Sequence, residues 1–466
     1  MKALFLNPPA LNGKNLSIDP ILSRCSGVPA KAPYLWPPIG LAYLAAYARE
    51  KTSAKISILD AQALGLSEKE TVKKTARQDL VFFNASTPSI ERDLGLCSKI
   101  SENNPKIALL GPHAEQYWNE LLHNDFVDFV VTGEPEKPVK NLINAVENNK
   151  VENAEGIAWK KSGKPMKNKP SEPIKDLDSL PFAARDLLPK KGYYDILAMG
   201  EKQGFVISSR GCPFKCRFCS AGMHSQGFRA RSAENVLEEI SEMKEKGVDG
   251  ITFLDDSFTI DKKRVFGVSQ GLKELGVNWR CLSRTDTVDK KLLREMHGSG
   301  CYQAMFGVES GSQKMLDRMR KQSTLETTRK TFGHCNELGI ETVAFFVFGF
   351  PGETIESIQE SIDFAKELNA DFASFNSFTP FPGSEIFEEF NHSKLNWGDY
   401  DFTSTSFCKI PTSELRTQIK NAYRAFYFRP GYLADRIKKS GVKRTIKQNI
   451  DFWAKKEGVL WQKGIK

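Results

Sequence analysis

Apolar positions in the first 145 residues fall into short blocks whose period keeps changing. "KALFLNPP" is a continuous apolar run ended by a proline turn, the pattern of a buried strand. "IGLAYLAAYAREK" has helical spacing, and "AKISILD" alternates as a strand. "SEKETVKKTAR" reads as a Ser-capped helix, "LVFFNAS" as a strand and "SIERDLGLCSKISEN" as a helix. "KIALLGPHA" and "FVDFVVTGEPE" each read as strand then turn. Strands alternating with helices predict a doubly wound, parallel α/β sheet over 1–145. In such a sheet a ligand lies beyond the carboxyl ends of the strands. Those ends are Asn7-Pro8-Pro9, Ser86-Thr87, Gly111-Pro112-His113 and Gly133-Glu134, small or turn-forming residues that let a bulky ligand approach the backbone.

Residues 146–200 break the rhythm and read as a linker with a short hairpin around Ser162-Gly163. Alternation then resumes, with strands expected at 204–209, 250–255, 278–284, 302–309, 341–349 and 371–378 and a helix in each gap. Six βα units predict a partial barrel over 201–395, with its chemistry at the carboxyl ends of the strands. Residues 396–466 read as an α-rich C-terminal region.

Composition supports a packed fold: of 466 residues, 40% are hydrophobic and 26% charged. No apolar run is long enough to span a bilayer, and the first strand lacks the long apolar core of an export signal. With nine cysteines and no such signal, reduced thiols in the cytoplasm are expected. The net charge of +9 is local, because eleven basic and three acidic residues fall between Arg429 and Lys466. Tyr432, Phe452, Trp453 and Trp461 interleave with them. That tail fits a solvated helical cap on the barrel, an interfacial segment meeting anionic lipid, or an RNA contact.

Three of the nine cysteines cluster in "SSRGCPFKCRFCSAG" as Cys212, Cys216 and Cys219, on the loop after the first barrel strand. A structural zinc site takes four ligands, and a redox Cys-x-x-Cys pair leaves Cys212 unexplained. A [4Fe–4S] cube on three thiolates leaves one iron open to a substrate or cofactor. Three incidental buried thiols are the bland alternative. Cys25, Cys97, Cys281, Cys301, Cys335 and Cys408 read as core thiols. His224 reads as a loop residue or a substrate contact, and Tyr34 and Trp36 as a cofactor wall or a loop staple.

With Phe218 before the last cysteine, this Cys-x3-Cys-x2-Cys resembles the signature of the radical S-adenosylmethionine enzymes. In that family the open iron binds S-adenosylmethionine, and one electron yields a 5′-deoxyadenosyl radical. The resemblance implies S-adenosylmethionine contacts at Phe218, at Asp255 and Asp256 of "ITFLDDSFTID", and at Arg284 of "CLSRTDTVDKKLL". It also implies contacts at Glu309 and Ser310 of "GCYQAMFGVESGS", and at Gly349, Pro351 and Gly352 of "FVFGFPGET". It names no catalytic acid or base.

Upstream, "WPPIGLAYLAAYARE" and "GPHAEQYW…DFVVTGEPE" resemble the cobalamin-binding subfamily. This places cobalamin at Asn7, Pro8, Pro9, Ser86, Thr87, Gly111, Pro112, His113, Gly133 and Glu134. The subfamily's Asp-x-His-x-x-Gly is missing, since "NPPALNGKNLS" has no histidine, so the resemblance implies cobalamin without a protein histidine on cobalt. The activity implied is modification of an unactivated carbon, as methyl transfer to a lipid-like or other hydrophobic metabolite. Oxidative cyclisation or C–C bond formation is the alternative within the enzymes, and a non-catalytic iron–sulfur or cobalamin-binding protein the alternative outside them. A flavodoxin or ferredoxin is the implied reductant. The resemblance favours a peripheral lipid contact over nucleic acid for the tail.

Overall fold

The computed structural model describes residues 1–10, 34–221, 227–390, 396–400, 405–439 and 441, and the backbone of the strands Lys14–Asp19 and Arg24–Pro29. Its first sheet runs in the order Lys164–Lys167, Ile157–Lys161, Phe129–Val131, Lys106–Leu110, Leu80–Asn84, Lys2–Asn7, Lys55–Asp60. The last five are mutually parallel, in registers such as Leu4↔Val81 and Phe82↔Ala108. Both faces are covered, which is why the strands are apolar throughout rather than alternating. Ala3, Phe5, Leu80, Phe82, Ala108 and Leu110 point to one face. Leu4, Leu6, Val81, Phe83, Ile107 and Leu109 point to the other.

The first face carries the helices Ile39–Lys51 and Glu136–Asn148 and continues into barrel residues Phe205, Ile207 and Leu254. The helix Ile39–Lys51 is buried on every side from Ile39 to Ala48, which fits its place between two domains. Two details differ from expectation. The turn at Gly111-Pro112-His113 opens a short helix, Pro112–Gln116. The hairpin 157–167, assigned to a linker, pairs antiparallel with Phe129–Val131 and so forms the edge of the first sheet. Its short polar strands looked like a connector because pairing with a distant strand leaves little local pattern.

The second sheet takes its six strands in chain order: Gln203–Val206, Gly250–Phe253, Asn278–Ser283, Cys301–Glu309, Glu341–Phe348 and Phe372–Ser377. All pairs are parallel, the geometry of an open βα barrel. Its outer edge is capped by side chains. Tyr423 Oη accepts from Phe375 N and donates to Phe375 O, at 3.0 and 3.2 Å. Tyr427 repeats this on Ala373, at 3.0 and 2.8 Å. Tyrosines on the helix Thr412–Tyr427 thereby satisfy an exposed strand edge.

Part of the basic tail belongs to this cap, which corrects the lipid-facing reading for that part. Tyr432 is buried and donates to Asp371 O at 2.8 Å. Arg436 is 1% exposed and pairs with Asp371 at 2.8 Å and Glu341 at 3.1 Å. Aromatic and basic residues docked on the barrel cannot meet a bilayer. Phe452, Trp453 and Trp461 lie outside the described residues.

Buried ion networks join the domains. Glu239 accepts from Tyr43 Oη at 2.9 Å and from Arg185 Nη1 at 2.7 Å, and pairs with Arg231. Burial alone would raise its carboxyl pKa, but the two guanidiniums hold it below the usual range. Arg210 pairs with Glu136 at 2.5 Å, and Arg229 pairs with Glu134. Asp195 accepts from Trp36 Nε1 at 2.7 Å and pairs with Arg280. Trp36 also stacks on Tyr34 at 4.6 Å, so "YLWPP" staples the domains.

Removing Glu239 leaves Arg231 buried, and Arg185 half-buried, without their carboxylate. Glu239→Ala is expected to cost about 3–5 kcal/mol. Arg49→Ala breaks the exposed Arg49–Asp186 pair and should cost about 0–1 kcal/mol. Denaturant titration of both variants checks this, and equal costs would show that the buried network does not hold the domains.

Candidate functional site

The cysteine loop leaves the strand Gln203–Val206 and is tied down by the neighbouring strand end. Asp255 accepts from Ser208 N at 2.6 Å, Ser209 N at 3.1 Å and Ser208 Oγ at 2.5 Å. Arg264 lies 3.6 Å from the same carboxylate and donates to Ser208 Oγ at 2.9 Å. The far end of the loop is held by Arg217 N donating to Met319 O at 3.0 Å and Ile386 N donating to Arg217 O at 3.0 Å. Between these anchors, Cys212 and Cys216 are half-buried and Cys219 is exposed. Burial pushes the Cys212 thiol up and the Phe214 amide opposes this; Asp256 adds to the rise and Arg284 counters it.

Among the described residues, no three His, Cys, Asp or Glu side chains converge on a single ion. A zinc site needs its ligands within about 2.0–2.3 Å of one metal. A cube presents separate irons to separate thiolates, so three thiols spread along one anchored loop suit it better.

The other barrel candidates differ in what engages them. Arg284 Nη1 lies 3.5 Å from Cys216 Sγ. Asp255 is fully buried and holds the loop. Glu309 adopts φ +68° and pairs with Lys321 at 2.7 Å. Ser310 Oγ bonds Ser361 Oγ at 3.1 Å and accepts from Ser312 N at 3.1 Å. Gly349 and Gly352 have φ of +87° and +90°, and a Cβ on Gly352 would lie 2.6 Å from the Arg318 guanidinium carbon. Half-buried Pro351 lies between them.

Phe218 packs against a cluster of Met319, Phe350, Phe378 and Phe381, to which Tyr117 of the first domain and Trp397 also pack. Glu353 escaped the sequence reading. Burial raises its carboxyl to about 7, Ser357 Oγ donates to Oε1, and Oε2 is buried with no partner among the described residues. An acid directly after Gly-Phe-Pro-Gly at a strand end was the available signal.

At the first sheet's carboxyl edge, three buried polar atoms lack partners among the described residues: Asn7 Oδ1, Thr87 Oγ1 and His113 Nδ1. They come from three strand ends, and a buried polar atom left unpaired points to a ligand or water. Pro8 and Pro9 are buried, and Arg92 donates to Pro9 O at 2.8 Å. Ser86 is engaged by Asp93 and by Ser89 Oγ at 2.6 Å. Gly111 has φ +110°, and a Cβ there would lie 2.6 Å from Ala85 O. Pro112 starts the short helix, and Gly133 N donates to Glu115 at 2.9 Å. Glu134 is held by Arg229 and by Arg210 at 3.6 Å, so it serves the domain junction. His113 stacks on Tyr117 at 4.9 Å and meets the edge of Trp397 at 4.9 Å. The strand ends of the two domains therefore meet around one aromatic cluster. His224 lies outside the described residues.

Comparison with known proteins follows the same division. Residues 206–365 match the radical SAM superfamily, and residues 26–143 match the B12 binding domain. An uncharacterised methyltransferase of Pyrococcus horikoshii is 34% identical over 422 residues, covering 85% of this chain and 89% of that one. The anaerobic magnesium-protoporphyrin IX monomethyl ester cyclase of Rubrivivax gelatinosus is 29% identical over 421 residues, covering 85% and 75%. Among solved structures, the radical S-adenosylmethionine methyltransferase TsrM of Kitasatospora setae, with cobalamin and a [4Fe–4S] cluster bound, superposes with a TM-score of 0.65. The identity is 15%, over 84% of this chain and 74% of that one.

Burial lowers the His113 pKa to about 3, so the folded protein holds this imidazole neutral. The unfolded chain binds its proton near pH 6.5. This stabilisation is therefore present above pH 6.5 and is lost as pH falls towards the folded value. Between pH 7 and pH 5 the wild type should lose about 2 kcal/mol more than His113→Phe. Urea titrations at both pH values check it, and parallel losses in the two proteins would place the imidazole in contact with water.

Proposed function

Because this chain belongs to the radical S-adenosylmethionine enzymes that carry a B12-binding domain, we propose that it transfers a methyl group to an unactivated carbon of a hydrophobic small molecule. The observation that supports this is the meeting of the cysteine loop and the first sheet's strand ends across one aromatic cluster. When bound, S-adenosylmethionine on a [4Fe–4S] cluster would supply a radical that abstracts a hydrogen atom from carbon, and cobalamin would supply a methyl group. Cys212, Cys216 and Cys219 hold the cluster. Asn7, Thr87 and His113 present their unpaired atoms to cobalamin.

Asp256, Glu309, Ser310, Gly349, Pro351 and Gly352 line the barrel mouth, where S-adenosylmethionine lies. Asp255 and Glu134 act through the scaffold, since their carboxylates already hold the loop and the domain junction. Phe218, Met319, Phe350, Phe378 and Phe381 exclude water from the radical's path and favour an apolar substrate. A small flavin or iron–sulfur protein delivers the electron. Residues 442–466, most of the basic tail, lie outside the described residues. Ring closure is the second reading, favoured by the 29% identity to a cyclase.

Anaerobically purified protein should hold about four irons per chain. Reduced, with S-adenosylmethionine, it should release 5′-deoxyadenosine. Cys212→Ala, Cys216→Ala and Cys219→Ala should each lose that activity, while Cys301→Ala, a buried core position, should retain it. With methyl-labelled S-adenosylmethionine, label in the product indicates methylation. A product two hydrogens lighter and unlabelled indicates cyclisation, and no 5′-deoxyadenosine at all would leave only a binding role.

The cobalt environment is tested separately. His113 Nδ1 is buried, and its ring is packed between Tyr117 and Trp397. Because the chain lacks Asp-x-His-x-x-Gly after its first strand, the cob(II)alamin form of the full chain should lack nitrogen hyperfine splitting in its electron paramagnetic resonance spectrum. Splitting that disappears in His113→Phe would make this imidazole an axial ligand.

A further inference from the structure

Arg284 was expected to meet S-adenosylmethionine, yet its donors are already directed elsewhere. A guanidinium has five N–H groups in a planar fork. Nε and Nη2 donate to the two oxygens of Asp286, at 2.8 and 2.6 Å. Nη2 also donates to Lys321 O at 2.5 Å. Nη1 points to Cys216 Sγ at 3.5 Å. The guanidinium face lies over the Phe214 ring, 3.6 Å from its centroid. Phe214 and Cys216 belong to the cysteine loop, whereas Arg284 and Asp286 follow the third barrel strand, Asn278–Ser283. One side chain thus clamps the loop from two directions and donates to a cluster sulfur. Lysine has no planar fork and could not do this.

The chemical consequence concerns the electron. Reduction adds one negative charge to a cluster, and hydrogen bonds to its sulfurs stabilise the more negative state. Asp286 offsets most of the long-range charge of Arg284, so what remains is a short-range donor at one sulfur. We propose that Arg284 is a positioning residue for the iron–sulfur cluster. It fixes the Cys212–Cys219 loop on the barrel and raises the cluster's reduction potential through Cys216. This rests on the cluster assignment made above.

The test uses the full chain, loaded anaerobically with iron and sulfide and without S-adenosylmethionine or cobalamin. Iron is counted, and the cluster is titrated with dithionite and mediators under electron paramagnetic resonance. Wild type and Arg284→Gln should both hold about four irons. At a fixed solution potential the reduced-to-oxidised ratio of Arg284→Gln should fall about tenfold, about 59 mV for a one-electron couple. Phe214→Leu, which loosens the clamp but leaves the donor, should shift the same way by less. S-adenosylmethionine binding by equilibrium dialysis should be unchanged in Arg284→Gln.

An unchanged potential overturns the proposal; if binding of S-adenosylmethionine weakens at the same time, Arg284 is that cofactor's carboxylate partner instead. If Arg284→Gln cannot hold iron, Arg284→Lys and Phe214→Leu decide: lowered potentials support the proposal and wild-type potentials overturn it. A wild-type chain without about four irons would fail earlier, at the cluster assignment itself.

Discussion

The buried carboxylate of Glu239 is the point on which the two-domain arrangement depends. It lies on a barrel helix and receives Tyr43 from the first domain, Arg185 from the connector and Arg231 from the barrel. A lone buried carboxylate would be strongly disfavoured, and so would two lone guanidiniums. Together they are compensated in only one relative placement of the three segments. The apolar face shared by Phe5, Phe82, Phe205 and Leu254 supplies affinity without direction. The ion network supplies direction, because its donors and acceptors must meet within hydrogen-bonding distance. The Glu134–Arg229 and Glu136–Arg210 pairs extend the constraint to the strand ends.

That constraint creates the site. The carboxyl ends of a parallel sheet are where ligands bind, whether the sheet is open or closed. Placing two such ends together lets Phe218 and Phe350 of the barrel share an aromatic cluster with Tyr117 of the first domain. This arrangement brings the strand ends of the two domains to a common apolar wall.

Several polar groups that look chemical in the sequence already have protein partners in the fold. Asp255 orders the cysteine loop through two backbone amides. Ser310 knits its own turn to Ser361. Arg436, in a tail that read as a surface for lipid, is among the most buried side chains. In each case a distant partner decides the role. Arg436 is drawn in by Asp371 and Glu341, on elements roughly a hundred residues or fewer away in the chain but adjacent in the barrel.

Local patterning was enough to read most strands, several helices and the cysteine triad, because period, capping residues and close ligand spacing are all short-range properties. The helix at "IGLAYLAAYAREK" and the six barrel strands were legible for that reason. The hairpin at 157–167 was not assigned to the first sheet, since its pairing with Phe129–Val131 is a tertiary choice. Glu353 was missed because its perturbed carboxyl results from burial, which adjacent residues do not encode. Residue chemistry and local spacing were determined by the sequence alone. Which acids and arginines face the site and which face each other was decided only when the domains packed, because charge pairing acts through space and not along the chain.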